Sequence, residues 1–231
     1  MLLAIDTSTR YAGVLLWKEG IPIVSQSWHS THNHTAELMP AIQRVLRQAG
    51  IEAEALHGIA LALGPGGFSA LRVGMSAVKG LSLALDLPLV GISTLEAEAY
   101  PYAYTGGPVC PLLNMGRHEV AWAWYERRNR DWQKIRSEGI IAIDQLPEAV
   151  IPGAILCGEG LLDNGSYLRE ALGQKATVVE YPGPSLRLWA LARLGAERLE
   201  RGLTDDPATL QPLYLRRPSI TQPNPPRKVK P

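Results

Sequence analysis

A glycine-rich turn between an apolar run and a long helical pattern is the stretch best suited to bind an anion. Residues 58–63 form a short apolar run, residues 69–85 have the length and composition of a helix, and Gly64-Pro65-Gly66-Gly67 joins them. A strand, a glycine turn and a helix together aim free backbone N–H groups at whatever lies above the turn. The same glycines also fit a tight connection in an α/β domain, since they tolerate positive φ and close backbone approach. The glycines alone favour this second, structural interpretation.

The signatures of two common enzyme classes are missing around this turn. Ser69 has Gly67 two residues before it but Leu71 two residues after it, so the Gly-x-Ser-x-Gly elbow of the α/β-hydrolases is incomplete. No glycine loop is followed by lysine and then serine or threonine, as the Walker turn requires. The sequence therefore disfavours a serine hydrolase and a P-loop NTPase.

The histidines and cysteines do not form a convincing metal-binding pattern. His29, His32 and His34 cluster before a predicted helix, where histidines are usually solvated or capping, and a protein-bound metal normally takes three or four ligands. Cys110 and Cys157 lie far apart in the sequence and fit no metal or redox spacing. We therefore expect no metal site and no cofactor.

The distribution of charge is more informative than its sum. The formal net charge of +1 gives no argument for binding nucleic acid or membrane by bulk electrostatics. Residues 1–206 carry 18 basic and 22 acidic side chains, a balance of −4, whereas residues 207–231 carry five basic and no acidic ones. This tail also holds seven prolines, so we expect its end to be disordered.

The same composition bears on where the protein works. No apolar run approaches the ~20 residues of a membrane span. Asp6 interrupts the apolar start of the chain, and no basic segment precedes it, so a signal peptide is not expected. We predict a cytoplasmic protein that does not contact a membrane.

The predicted elements of the first hundred residues indicate a mixed sheet. They occur in the order strand, strand, strand, helix, strand, helix, strand, over residues 2–5, 12–17, 21–28, 36–49, 58–63, 69–85 and 87–92. The order resembles the five-stranded sheet of the actin, sugar-kinase and Hsp70 superfamily, which implies an α/β fold of two lobes. Thr105-Gly106-Gly107-Pro108 marks a boundary, so we expect a first lobe over 1–104, a smaller second lobe over 105–206 and a tail over 207–231. The helix near 185–202 can pack back on the first lobe.

The helix over residues 69–85 has a surface suited to a partner. It is apolar nearly all round, so we expect it to be covered on two sides. Small side chains at Ser76, Gly80 and Ala84 form one stripe that permits a close helix crossing. Beside it run Val73, Ala77 and Leu81, and the preceding helix offers a second apolar row. We predict a four-helix contact with another molecule, to which that second row contributes Leu38, Ile42, Val45 and Leu46.

Five strings in register carry a resemblance to a known family. They are Ala4-Ile5-Asp6-Thr7-Ser8, Gly64-Pro65-Gly66-x-Phe68, Leu71-Arg72-Val73-Gly74, Leu89-Val90-Gly91-Ile92-Ser93-Thr94 and Pro212-x-Tyr214-Leu215-Arg216. Together they make the chain resemble the TsaB (YeaZ) family from Met1 to about Pro218. The family takes part in forming threonylcarbamoyladenosine beside the anticodon of tRNAs that read codons starting with adenine.

The resemblance implies a partner protein that performs no chemistry itself. The related TsaD transfers the threonylcarbamoyl group, and the ATPase TsaE joins the complex. TsaD has two metal-binding histidines where this chain has Thr94 and Glu98, which implies that metal catalysis is lost here. We expect a homodimer when the chain is alone and a heterodimer when TsaD is present. The basic tail is a candidate contact for tRNA.

The superfamily also implies a nucleotide cleft. The turns at Asp6, Thr7 and Ser8 and at Gly158 and Gly160 match positions that hold phosphates and adenosine in relatives of this fold. We interpret them as relics, because fold does not fix function. An actin-like small-molecule kinase or ATPase is the alternative. Departures from the family pattern at Gly67, Ala70 and Asn114 weaken any phosphate or catalytic role at those positions.

Overall fold

The computed structural model describes residues 1–31, 33–180 and 183–216, and within them the chain forms two five-stranded mixed sheets. The elements of the first part are β1 (Leu2–Asp6), β2 (Tyr11–Lys18), β3 (Ile21–His29), α1 (His34–Ala49), β4 (Gly58–Ala62), α2 (Phe68–Leu85), β5 (Leu89–Ile92) and α3 (Thr94–Ala99). The elements that follow are β6 (Val109–Asn114), β7 (Glu119–Arg128), β8 (Asp131–Ala142), α4 (Leu146–Ala149), β9 (Ile155–Cys157), α5 (Leu161–Leu172), β10 (Thr177–Val178) and α6 (Pro184–Glu200). Short 3₁₀ turns lie at Ala53–Ala55 and Tyr100–Tyr102.

The first sheet has the strand order β3-β2-β1-β4-β5. A hairpin joins β2 to β3, β1 pairs antiparallel with β2, and β1, β4 and β5 are parallel. All five residues of β1 and of β4 are buried, as expected for central strands covered on both faces. The mixed five-stranded sheet predicted from the element order is confirmed.

Two helical layers cover the first sheet. On one face α1 and α2 pack on alternate residues such as Leu3, Ile5 and Ile59. On the other face α6 packs on Leu2 and Ala4. The close approach of α6 depends on Gly195, because a Cβ there would lie 2.5 Å from the Cβ of Ala60. The last helix of the described residues thus returns to the first strand of the chain.

The second sheet has the strand order β10-β9-β6-β7-β8. Helices α4 and α5 cover one face through Leu146, Leu161 and Leu168, and α3 contributes Leu95 and Ala99 to the other. Helix α3 therefore lies between the two sheets. It brings residues from the end of the first sheet against the start of the second.

The structure corrects one part of the predicted partner surface. Leu38, Ile42 and Val45 are 1–2% exposed and lie in the core between α1 and the first sheet. The 3.6-residue period of α1 marks the face that packs on its own sheet, so this row is not available to another molecule. Leu46 is half-buried at the edge of the same cluster.

Helix α2 is exposed to an unusual extent for its composition. Within the described residues it is the one helix with the length and apolarity of a membrane span, and 28% of it is buried. A single such helix is weak evidence for a membrane. The exposed apolar face of α2 is instead a candidate surface for a partner, since an apolar helix face in water is costly.

Candidate functional site

A cleft of about 890 Å³ lies between the two sheets, at the carboxyl ends of β1 and β6. One wall is formed by residues 8–11 and 66–70, and the other by residues 113–116 and by Glu159, Leu162 and Asp163. This is where open α/β sheets place their ligands. The predicted glycine turn and the turn after β1 both border the cleft.

The two turns of the first wall bind each other. The carbonyl of Ser8 accepts a hydrogen bond from the backbone N–H of Gly67 at 2.8 Å. The Thr7 hydroxyl donates to the carbonyl of Ala70, also at 2.8 Å. A Cβ at Gly66 would lie 2.1 Å from the Ser8 carbonyl oxygen, so only glycine allows this contact. The Gly67 N–H, which an anion above this turn would need, is thus bonded to the chain's own backbone, as the structural interpretation of the glycines implies.

Both oxygens of the Asp6 carboxylate are also occupied. Oδ1 accepts hydrogen bonds from the backbone N–H and the hydroxyl of Ser8, at 2.8 and 2.6 Å. Oδ2 accepts from Nε of Arg187, at 2.5 Å. Asp6 is 2% exposed. Both oxygens of this carboxylate therefore take part in structural hydrogen bonds within the protein.

Arg187 of α6 is the centre of the network behind the cleft. Its guanidinium is fully buried and donates to the carboxylates of Asp6, Glu98 and Glu159 at 2.5, 2.6 and 2.7 Å. The same side chain donates to the Thr9 hydroxyl and to the carbonyl of Tyr11, both at 2.9 Å. All five donor sites of an arginine point into one polar pocket. The ion pairs join β1, α3 and α6 to the Gly158–Gly160 turn of the second sheet.

The charges in this network do not balance. One guanidinium faces three carboxylates, so full ionisation would leave a buried charge of −2. Burial raises the pKa of Glu98 from its ordinary 4.5 to about 7, against the opposing attraction of Arg187. Burial alone would lower the pKa of Arg187, but the three carboxylates raise it well above its ordinary value. The guanidinium therefore stays charged, and Glu98 takes up a proton near neutral pH.

The glycines of the second turn are explained by packing. A Cβ at Gly158 or Gly160 would lie 2.6 or 2.9 Å from the backbone of Leu112 in β6. Gly160 also donates its N–H to the Leu112 carbonyl at 2.8 Å. Between the two glycines, Glu159 accepts a hydrogen bond from the Thr9 hydroxyl at 2.8 Å. The two turns predicted as a relic site are thus brought together, and the bond between their side chains closes the back of the cleft.

Thr94 and Glu98, at which the resemblance implied a loss of metal ligands, both have structural partners. The Thr94 hydroxyl accepts from the N–H of Gly64 at 3.0 Å, and the Thr94 N–H donates to the Gly64 carbonyl at 2.8 Å. Glu98 binds Arg187. No group of three or more histidine, cysteine or acidic side chains in the described part of the chain is placed to hold a metal.

The remaining predicted polar residues lie partly along the cleft and partly outside the described residues. His29 and His34 line the cleft, and His32 falls outside the described residues. Asn114 donates to the Asp163 carboxylate at 2.6 Å and accepts from the N–H of Gly116 at 2.9 Å, so it shapes the loop after β6. Of the five basic tail residues, Arg216 is described, where it binds Glu119. Arg217, Arg227, Lys228 and Lys230 lie outside the described residues.

The small-residue stripe of α2 faces away from the protein. Ser76, Gly80 and Ala84 are exposed, and a Cβ at Gly80 would meet no atom within 4 Å. Val73, Ala77 and Leu81 are half-buried beside the stripe. Apolar groups extend the stripe at both ends, where Leu83 is 85% exposed and Phe68 is 37% exposed. The stripe is therefore a continuous, largely apolar surface that the described residues leave uncovered.

An aromatic cluster continues this surface past the start of α2. The rings of Phe68 and Tyr214 lie 5.1 Å apart, and the guanidinium of Arg72 lies 5.3 Å from the Phe68 ring centroid. Tyr214 is 37% exposed, so both rings reach the surface. Aromatic and arginine side chains of this kind are enriched at protein interfaces.

Sequence reasoning missed Arg187. A signal was present, because Arg187 occupies the buried helical face of α6 together with Leu191, Leu194 and Gly195, at spacings of four, seven and eight. A charged residue on an otherwise apolar helix face needs a buried partner. The nearest carboxylates in space, however, come from residues 6, 98 and 159, and their proximity cannot be inferred from spacing.

Comparisons with known proteins find relatives that cover most of the chain. A family model described as tRNA N6-adenosine threonylcarbamoyltransferase, TsaD, matches residues 27–176. The tRNA threonylcarbamoyladenosine biosynthesis protein TsaB of Escherichia coli is 28% identical over 221 residues, covering 93% of this chain and 94% of the relative. TsaB of Buchnera aphidicola from Schizaphis graminum is 32% identical over 151 residues, covering 64% of this chain and 71% of the relative.

Solved structures give the same result for the fold. YeaZ from Pseudomonas aeruginosa superimposes with a TM-score of 0.74 at 26% identity, covering 93% of this chain and 99% of that one. Two more distant structures share the fold alone. The ethanolamine utilization protein EutJ of Carboxydothermus hydrogenoformans has a TM-score of 0.52 at 14% identity, over 82% of this chain and 88% of that one. A glucomannokinase of Arthrobacter has a TM-score of 0.51 at 11% identity, covering 85% of this chain and 98% of that one. The predicted two-lobed actin-like architecture is confirmed.

Proposed function

The chain belongs to the TsaB (YeaZ) family of tRNA threonylcarbamoyladenosine biosynthesis proteins, a non-catalytic branch of the TsaD family, and from that premise we propose that it is the partner subunit of a TsaD transferase. It binds TsaD through the exposed stripe of α2 and supports the transfer without carrying out chemistry. TsaE joins the two in the complex. The modified adenosine lies beside the anticodon of tRNAs that read codons starting with adenine.

The exposure of α2 is the observation that carries this proposal. Ser76, Gly80 and Ala84 leave the helix backbone open to close approach, and Leu83 stands almost fully in solvent. A partner helix that crosses at Gly80 would bury these groups at once. TsaD is the natural occupant because it belongs to the same family and would offer a corresponding helix. The same surface would pair two copies of this chain when TsaD is absent.

The closed network behind the cleft supports a non-catalytic role. Asp6 and Glu98 are committed to Arg187, and the glycine turn is committed to Ser8. A kinase or ATPase of this fold needs its carboxylates for a hydrated Mg²⁺ and for the phosphates of its nucleotide. We therefore keep the interpretation of these turns as relics. A partner subunit of this kind works in the cytoplasm, where its tRNA is, and needs no membrane.

A substitution in the stripe tests the proposal. In Gly80→Glu a side chain and a charge enter the crossing, while the monomer has room for both. We expect the variant to fold, as judged by circular dichroism, but to sediment as a monomer and to lose TsaD binding. The matched control is Gln174→Glu, which places the same side chain at an exposed position after α5. A folded Gly80→Glu protein that still binds TsaD would contradict the proposed surface.

Nucleotide binding tests the alternative directly. A kinase or ATPase should bind ATP with Mg²⁺ in the micromolar range and turn it over with an acceptor. We expect titration calorimetry on the isolated chain to detect no such binding. Turnover of ATP by the chain alone would replace the proposal with the alternative.

A further inference from the structure

A basic β-hairpin extends from the second sheet, formed by the ends of β7 and β8. We propose that this basic hairpin, residues 126–136, contacts the phosphate backbone of tRNA. The choice of tRNA as the nucleic acid rests on the proposed function. The hairpin carries five basic and two acidic side chains, a balance of +3. Because residues 1–206 together have a balance of −4, the rest of that body has a balance of −7. The hairpin therefore stands out from an acidic body.

The hairpin reaches beyond its sheet. The pairing of β6 with β7 ends at Val109 and Tyr125, so residues 126–128 pair with β8 alone. A two-residue turn, Asn129-Arg130, closes the hairpin with φ values of 51° and 72°. Turns with two positive φ values strongly favour Asn-Gly, and arginine is disfavoured in the left-handed region because its Cβ crowds the backbone. The residue at this position is nevertheless Arg130, so a guanidinium group lies at the tip of the hairpin.

Two arginines of the hairpin are without an ion pair among the described residues, and one of them is held in place by stacking. In the described part of the chain, Arg127 and Arg130 form no ion pair, whereas Arg128 is paired with Glu126 at 2.5 Å and Lys134 with Glu138 at 2.7 Å. The Arg127 guanidinium lies 4.3 Å from the ring centroid of Tyr104, which is 74% exposed. Stacking fixes the plane of the guanidinium and leaves its N–H edge free.

This combination suits a phosphate backbone better than an acidic peptide. Four of the five basic residues are arginines, whose planar fork matches two phosphate oxygens. Exposed Tyr104 adds an aromatic face of the kind on which unpaired bases stack in RNA-binding proteins. A carboxylate-rich protein surface would use the charge but gain nothing from the ring. The geometry therefore favours RNA.

The hairpin stays accessible when α2 is covered. Trp132, which pairs with Arg127 across the hairpin, packs against Tyr100 and stacks on Tyr125. Its apolar neighbours belong to the cluster that holds α6 on the first sheet. Helix α2 packs on the opposite face of that sheet. A partner bound to α2 would therefore leave the basic hairpin open to a second ligand.

Two substitutions test the role of the basic hairpin. Arg130→Gly removes the tip charge and installs the residue that the turn favours, so the fold should be stabilised while RNA binding weakens. Arg127→Gln removes the stacked guanidinium. Arg201→Gln, at an exposed position after α6, is the matched control. Binding of an unmodified tRNA transcript is measured over a salt series, using the full chain assembled with TsaD and TsaE.

The slope of log K against log salt concentration decides the outcome. Each lost phosphate contact should reduce the magnitude of this slope by about 0.7–0.9. The double variant, which combines Arg127→Gln with Arg130→Gly, should therefore have a slope smaller in magnitude by about 1.5. The control should have the slope of the wild type. An unchanged slope in the double variant would overturn the proposal. So would loss of complex assembly without tRNA, since the hairpin would then be a protein contact. A wild-type complex that binds tRNA through the hairpin but forms no modified base would refute the proposed function and leave the hairpin assignment standing.

Discussion

Arg187 of α6 donates from Nε to the Asp6 carboxylate of β1 at 2.5 Å, across 181 positions of the chain. The contact lies where the two sheets meet, and the same guanidinium reaches Glu159 beyond it. In this fold the end of β1 borders the ligand cleft. Here a side chain of the protein itself supplies the positive charge that faces this carboxylate.

Removing this guanidinium should destabilise the fold severely. Arg187→Met leaves the buried carboxylates of Asp6 and Glu98, and the partly buried one of Glu159, without their shared partner. Breaking a buried pair of this kind costs about 3–5 kcal/mol. The matched control is Arg193→Met on the same helix, where the arginine pairs with Glu197 at the surface and a loss below about 1 kcal/mol is expected. Urea unfolding followed by circular dichroism measures both. Equal losses from the two variants would refute the structural role of Arg187.

The protonation of Glu98 should make stability fall as pH rises. Its pKa is about 7 in the folded protein and 4.5 as the ordinary value, so between these pH values the folded state holds a proton that the unfolded state has released. The free energy of unfolding therefore decreases as pH increases through this window. A shift of this size corresponds to a contribution on the order of 3 kcal/mol.

Glu98→Gln isolates that contribution. Glutamine cannot ionise, so the stability of the variant relative to the wild type should improve progressively from pH 4.5 to pH 8. The measurement is urea unfolding at several pH values, with the difference between the two proteins plotted against pH. A constant difference over the whole range would show that Glu98 does not titrate in this window.

A glycine at position 80 should be required for association with a partner and not for the folding of the monomer. A Cβ at this position meets no atom within 4 Å. Gly80→Ala should therefore raise the free energy of unfolding of the monomer by roughly 0.5–1 kcal/mol, because alanine favours the helix more than glycine does. Thermal unfolding at a concentration where the chain is monomeric tests this expectation. Destabilisation of the monomer would mean that the stripe faces the protein interior.

Much of the first lobe could be predicted from the sequence because its signals are local. Alternating and continuous apolar runs, Gly50 after α1 and the glycine turn before α2 determine the strands, the helices and their order. Helix α5 of the second lobe gives a weaker local signal, because Gly165 and the polar residues around it give the segment a weak helical pattern.

The site was harder to predict because it depends on contacts between distant residues. The small-residue stripe of α2 was recognised and is exposed, but the apolar row of α1 was assigned to a partner although it fills the core. Periodicity identifies an apolar face without telling what covers it. The return of α6 to the first lobe was anticipated, but the meeting of Arg187 with Asp6, Glu98 and Glu159 joins residues far apart in the chain, which no local pattern reveals.

Reconstitution of the modification tests the central claim most directly. An unmodified tRNA transcript is incubated with a donor of the threonylcarbamoyl group, and the nucleosides are then quantified by mass spectrometry. We expect no threonylcarbamoyladenosine with this chain alone, product with TsaD, TsaE and the chain together, and loss of product when Gly80→Glu replaces the wild type. Product formed by this chain without TsaD, or full activity of TsaD and TsaE without this chain, would contradict a non-catalytic partner that acts through α2.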